Sequence, residues 1–164
     1  MREAVKLDCV IRKIEARDNS AVERIIRSCL LEFNGNREGT AWFDPDLGRF
    51  SEVYHTDSRK YWVADNGKVV GGVGIAPLDG IDGVCELQKM YCLPEIRGTG
   101  VAHKLIETAL EQAAKYYDKC YLETFGNMIA AQKFYEKYGF VRIDKPLGST
   151  GHYGCDVLYL KDLR

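Results

Sequence analysis

The sequence predicts an α/β (α+β) fold, on three observations. The apolar stretch Cys85–Pro94 leads into a glycine-bearing loop, Arg97-Gly98-Thr99-Gly100-Val101-Ala102, which opens an amphipathic run headed by Leu105 and Ile106. Two further apolar runs, Tyr61–Ala64 and Val69–Ala76, flank Asp65-Asn66-Gly67, and an Asn-Gly between such runs is the strongest short hairpin signal. Segments with a period near two alternate along the chain with segments at helical spacing.

Taken in order, Cys9 to Ile14 alternates apolar and charged residues, as a half-buried strand does. Asp18 is placed to cap a helix carrying Val22, Ile25, Ile26, Cys29, Leu30 and Phe33 on one face, and Asn34-Gly35-Asn36 ends it. A polar stretch holding Trp42 and Phe43 precedes a short helix with Leu47, Phe50, Val53 and Tyr54. The hairpin supplies strands two and three, and Val84–Leu93 the fourth. After the glycine loop, Leu105, Ile106, Ala109, Leu110, Ala113 and Tyr117 line one helical face. Cys120–Thr124 is a fifth strand, followed by a helix to about Tyr138 with Gly139 as its C-cap. Val141–Ile143 and Cys155–Leu160, joined through the loop Pro146–Gly151, complete seven strands.

At 164 residues the chain is the size of one domain, read as 1–164 without a linker or repeat. A net charge of −1 gives no general attraction to nucleic acid or to an anionic membrane. No segment has the length of a membrane span, and Met1–Lys6 lacks the apolar core of a secretory signal, so a cytoplasmic location is expected. The six cysteines form no C-x-x-C pair and have no zinc-like spacing to histidine, so no metal is expected. Cys9, Cys29, Cys85 and Cys120 sit at apolar positions and read as small, reduced core residues.

A glycine loop entering a helix presents unpaired backbone N–H groups and the positive end of the helix dipole, a combination suited to phosphate. Counting from Gly98, His103 stands where both the P-loop and the dinucleotide-binding fingerprint need glycine, which excludes those two motifs. The order R-x-x-G-x-A in Arg97–Ala102 instead resembles the pyrophosphate signature of the GNAT N-acetyltransferase superfamily. The likeness extends through Glu86-Leu87-Gln88-Lys89-Met90-Tyr91-Cys92-Leu93-Pro94-Glu95-Ile96-Arg97-Gly98-Thr99-Gly100 upstream. Downstream it covers Cys120-Tyr121-Leu122-Glu123-Thr124 and Ala131-Gln132-Lys133-Phe134-Tyr135-Glu136-Lys137-Tyr138-Gly139-Phe140.

The resemblance implies a central, mixed, mostly antiparallel seven-stranded sheet with helices on both faces and splayed fourth and fifth strands. It implies acetyl-CoA as cosubstrate and direct transfer of acetyl to an amine. Arg97, Gly98, Thr99, Gly100, Val101, Ala102 and His103 would wrap the pyrophosphate, and Met90, Tyr91 and Cys92 would flank the pantetheine arm with Phe134 and Tyr135. The N–H of Met90 or Tyr91 would polarise the thioester carbonyl. Tyr135 matches the tyrosine that protonates the leaving thiolate, and Glu86 the glutamate that deprotonates the amine, with Glu123 or ordered water as competitors. Met128, not Asn127, stands where many members carry a pantetheine-binding asparagine. A homodimer is also compatible with the family.

The acceptor would enter between Phe33–Asp46 and Gly148–Tyr153. There Trp42, Phe43, Tyr61, His152 and Tyr153 are candidates for an aromatic wall, and Glu32, Asp44 and Asp46 for attracting a cationic amine. The reaction class expected is N-acetylation of a small-molecule or peptide amine. A catalytically silent acetyl-CoA sensor is the alternative.

Overall fold

The computed structural model describes residues 8–164, so the run Met1–Lys6 lies outside the described residues. The strands are β1 (Val10–Lys13), β2 (Lys60–Asp65), β3 (Val69–Pro77), β4 (Val84–Cys92), β5 (Lys119–Thr124), β6 (Val141–Ile143) and β7 (Val157–Asp162). The α-helices are α1 (Asn19–Glu32), α2 (Phe50–Val53), α3 (Val101–Ala113) and α4 (Ile129–Lys137). The strands form one sheet in the order β1-β2-β3-β4-β5-β7-β6, antiparallel throughout except for the β4–β5 pair. No described helix is long and apolar enough to cross a membrane.

Strand alternation sorts side chains to two faces. On β2, Trp62 and Ala64 join the core beneath α3, with Val101, Leu105, Ile106 and Ala109 from that helix and Tyr135 from α4. Tyr61 and Val63 face the other way, into a core built with Val22, Ile26 and Leu30 of α1 and Phe50 of α2. Helices thus cover both faces, which is why the central strands are apolar almost throughout. Cys9, Cys29, Cys85 and Cys120 are buried, as their apolar positions imply.

The last strand runs Val157–Asp162 rather than Cys155–Leu160, and two further expectations change in detail. The helix anticipated to Tyr117 ends at Ala113 and continues as turns, through which the Tyr117 hydroxyl donates to the Ser58 carbonyl at 2.5 Å. Asp18 does not cap α1 with its side chain: the residue has helical dihedrals, and its carboxylate binds Arg12 at 2.7 and 2.9 Å and accepts from the Glu15 N–H at 2.8 Å. Hydrogen bonds from Arg12 hold the buried Asp18 carboxyl below its ordinary value. A depressed folded-state value means that this contribution to stability is complete above about pH 3.8 and drains as the pH falls below it. Urea unfolding midpoints measured from pH 6 to 2.5 are expected to drop through that window, less steeply in Asp18→Asn.

Candidate active site

The site begins where a sheet pairing stops. β4 and β5 are paired at Val84–Lys119, Cys85–Cys120 and Glu86–Tyr121 and no further, so they diverge toward their C-terminal ends. On its other edge β4 carries a bulge: Gly72 pairs with Tyr91 and Gly74 with Gln88, leaving one extra residue on β4, and Lys89 has φ 51°. A one-residue slip exchanges the faces of everything beyond it. Cys85 and Leu87 point under α3, and past the bulge it is Met90 and Cys92 that pack on that side, while Tyr91 joins the α1 side.

Tyr61 holds the bulge. Its ring lies across β3, where a Cβ on Gly72 or Gly74 would meet it at 2.5 or 2.7 Å, and its hydroxyl donates to the Lys89 carbonyl at 2.7 Å. Because a trans peptide points its C=O and N–H in opposite directions, the Met90 N–H faces away from Tyr61. The Tyr91 N–H, by the antiparallel alternation anchored on Leu93 N–H to Val70 O, points to β3 instead. The glycine pattern Gly71-Gly72-Val73-Gly74 is the sequence signal for this crossing, and its meaning emerges only with the ring in place.

On the α3 side of the cleft, a cavity of about 420 Å³ is lined by Met90, Tyr91, Cys92, Ala102, Phe134 and Tyr135 among others. Burial pushes the Cys92 thiol up to about 12, so it stays protonated. At one end lies the glycine loop. Gly98 and Gly100 have φ of 79° and 91°, and a Cβ on either would meet nothing within 4 Å. Among the described residues no group accepts from the backbone N–H of Gly98, Gly100, Val101, Ala102 or His103. The loop's side chains are engaged elsewhere: Arg97 pairs with Glu32 at 2.6 Å and donates to the Cys92 carbonyl, Thr99 bonds back to Ile96, Val101 is core, and His103 meets Tyr138. What the loop offers is open amides at a helix terminus, the chemistry an anion needs.

Tyr135 projects from α4 between this cavity and the cleft proper. Its hydroxyl makes no hydrogen bond to another described residue and is not sealed from the cavities it lines, and burial of the side chain raises its ionisation well above the ordinary tyrosine value, so the phenol keeps its proton. Asn127 lines the same cavity but its amide donates to the Phe33 carbonyl at 2.9 Å, and Met128 lines it beside Thr124.

Across the sheet a second pocket, of about 230 Å³, is lined by Asp44, Asp46, Tyr54, Arg59, Glu86 and His152 among others. Glu86 is buried and accepts from Gln88 at 2.6 Å, with Gln88 itself held by the Tyr54 hydroxyl at 2.5 Å. Glu86 pairs with neither Lys89 nor Arg12. Burial pushes its carboxyl above the ordinary range, against the Gln88 hydrogen bond and the Lys89 and His152 charges; Glu123 pushes it further up. Glu123 accepts from Thr150 and from Tyr121, and the polar atoms of Glu86, Glu123 and His152 lie within 4.8 Å of one another.

The expected acceptor wall is largely corrected. Tyr61 is buried under β3, Trp42 stacks beneath Arg27, Phe43 and Tyr153 are exposed, and only His152 of that set lines this pocket. Glu32 lies on the other side, paired to Arg97. Asp44 is in place but not free: Lys89 Nζ is 2.6 Å away and His152 Nε2 2.9 Å. Burial opposes its ionisation, yet the His152 hydrogen bond and the Lys89 charge outweigh that and hold it low. Tyr54, Gln88 and Arg59 were not anticipated; each is an ordinary polar residue whose role depends on which strands meet.

A family model described as "Acetyltransferase (GNAT) domain" matches residues 57–142. The uncharacterized N-acetyltransferase YjgM of Escherichia coli is 44% identical over 158 residues, covering 94% of this chain and 95% of that one. A GNAT-family acetyltransferase from Staphylococcus aureus Mu50 superimposes with TM-score 0.84 at 24% identity, over 96% of this chain and 100% of the other. The yncA protein of Salmonella typhimurium, solved with acetyl-CoA, gives TM-score 0.74 at 18% identity over 96% and 95%. An open sheet with one parallel pair splayed beside an amide-lined helix terminus defines an acyl-transfer scaffold, and the matches set it among known proteins. The chain belongs to the GNAT acetyltransferase family.

Proposed function

We propose that this protein is an acetyl-CoA-dependent N-acetyltransferase that moves acetyl directly to a primary amine of a small molecule or peptide. The observation carrying this reading is the β4–β5 cleft. It joins an amide-lined helix terminus to a carboxylate pocket on the opposite face, with the partnerless Tyr135 hydroxyl between them. The yncA complex supports the choice of cosubstrate.

Acetyl-CoA would supply the acetyl group already activated as a thioester. The free N–H groups from Gly98 to His103 hold the pyrophosphate, while Met90, Tyr91, Cys92 and Phe134 flank the arm between the splayed strands. The Met90 N–H, turned away from Tyr61, is the donor for the thioester oxygen, a role worth a few kcal/mol where such a donor has been removed from other enzymes. Glu86 receives the proton of the incoming ammonium, directly or through water shared with Glu123. As the amine nitrogen bonds to the acetyl carbon and the C–S bond breaks, Tyr135 gives its proton to sulfur, and the second proton of the nitrogen passes through water to the tyrosinate, which leaves the amide neutral and restores the phenol.

Calorimetry with acetyl-CoA, followed by an amine panel read with a thiol reagent, tests this. Binding with CoA release supports it, binding without release points to a silent sensor, and no binding refutes it. The ionised form of Glu86 is the competent one, so kcat/KM is expected to rise with pH along a limb above 4.5, the ordinary carboxyl value. Glu86→Gln should remove that limb and cost about 10²-fold. A limb that survives the substitution assigns the base to Glu123 or water.

A further inference from the structure

Charge accounting in the acceptor pocket points to one kind of acceptor. Asp44 is satisfied by Lys89 and His152, and Asp46 has Arg49 at 3.7 Å. The hydrogen-bond partner of Glu86, Gln88, is neutral, and Glu123 is bonded by two hydroxyls. Two kinds of charge are left over. One is the Glu86 and Glu123 pair of carboxylates beside the cleft. The other is Arg59, a half-buried residue lining this pocket, to whose guanidinium no described residue supplies a carboxylate within 4.0 Å or a side-chain hydrogen bond. Asp57, two residues away, is taken by Lys60 at 3.1 Å.

Arg59 precedes β2 in a turn closed by the Thr56–Arg59 backbone bridge, which fixes where its side chain starts. Its planar guanidinium fork, open on the pocket, matches a carboxylate in a bidentate pair. The pocket holds roughly the volume of eight liquid waters, room for a small molecule.

We propose that the acceptor is a small amino acid-like zwitterion, its amine turned to Glu86 and Glu123 and its carboxylate held by Arg59. This rests on the N-acetyltransferase reading and narrows it. A polyamine or aminoglycoside would bring a second cation against Arg59, whereas a zwitterion complements both the Glu86 carboxylate and the Arg59 guanidinium that line the pocket.

The test compares free L-amino acids with their carboxamides as acceptors at saturating acetyl-CoA, in the wild-type chain and in Arg59→Gln. The expected wild-type preference for the free acid is about 10- to 100-fold in kcat/KM, expressed in KM, the range of a hydrogen bond to a charged group. In Arg59→Gln that ratio should collapse toward one, while the acetyl-CoA Kd from calorimetry stays put. Calorimetric binding of the best amino acid to the CoA-loaded protein should weaken in parallel. Equal use of acid and amide, turnover of diamines or aminosugars but of no amino acid, or an Arg59→Gln loss shared equally by both acceptors overturns the proposal and leaves the N-acetyltransferase reading standing. Failure to bind acetyl-CoA overturns that reading itself.

Discussion

Gly100→Glu is expected to abolish acetyl-CoA binding, weakening the calorimetric Kd by more than about 10²-fold. Three terms act together. Gly100 is the N-cap of α3 with φ 91°, a conformation that costs a residue with a side chain roughly 1 kcal/mol. The added side chain would stand in the open space in front of the loop, since nothing lies within 4 Å of its Cβ, so the effect cannot be traced to a clash within the folded chain. Its carboxylate would occupy the region the N–H groups of Val101, Ala102 and His103 face, taking their hydrogen bonds and repelling phosphate. Gly100→Ala separates the terms, because it keeps the backbone cost and removes the charge. Its binding should fall by about tenfold or less, with a small drop in Tm. Wild-type affinity in Gly100→Glu would remove this loop from the cofactor site.

This loop was legible in the sequence because its open amides depend on backbone alone. Small residues at fixed offsets, after an apolar run and before a helical one, are sufficient to specify open amides at a helix terminus, and the side chains of Arg97, Thr99 and His103 turn out to serve the local fold. Element order was legible for a similar reason: each strand and helix announces its own period, and β6 (Val141–Ile143) falls where the pattern puts it. The bulge was not. Lys89 at positive φ is set by Tyr61, 28 residues earlier, and by the glycines of β3 that let the ring pass. No window of β4 alone contains that information.

The acceptor pocket was read least well, and the cause is the same. Asp44 is acidic and sits in a loop expected to border the acceptor, which makes it a candidate for attracting a cationic amine. Its charge is absorbed by Lys89 from the bulge and by His152 from the far end of the chain. Arg59 is one of many lysines and arginines in the sequence; it stands out only once the other cations around the pocket have found carboxylates. Aromatic loop residues misled in the opposite direction, since Phe43 and Tyr153 are exposed while the pocket's aromatic contacts come from Phe50 and Tyr54.

Tyr135→Phe is expected to lower kcat by about 10²-fold or more, within the range general acids contribute, while the acetyl-CoA Kd changes by less than about twofold. The ring supplies the packing: it is buried against Phe140, Phe134 and Tyr159, and phenylalanine keeps every one of those contacts, so the fold and Tm should hold. The hydroxyl is different. Among the described residues it has no partner to orphan, so its removal leaves no buried polar group unsatisfied, and a rate loss cannot be charged to a broken internal hydrogen bond. Its raised ionisation keeps the proton on oxygen at neutral pH, as the donor to a departing thiolate must. The loss should therefore shrink when the leaving group needs no proton. An acetyl thioester of a much more acidic thiol, offered in place of acetyl-CoA, is expected to react with the wild-type and Tyr135→Phe chains at rates within a few-fold of each other. A defect of equal size on both donors would give Tyr135 a role in shaping the cleft and none in proton transfer, and an unchanged rate with acetyl-CoA would remove it from the reaction altogether.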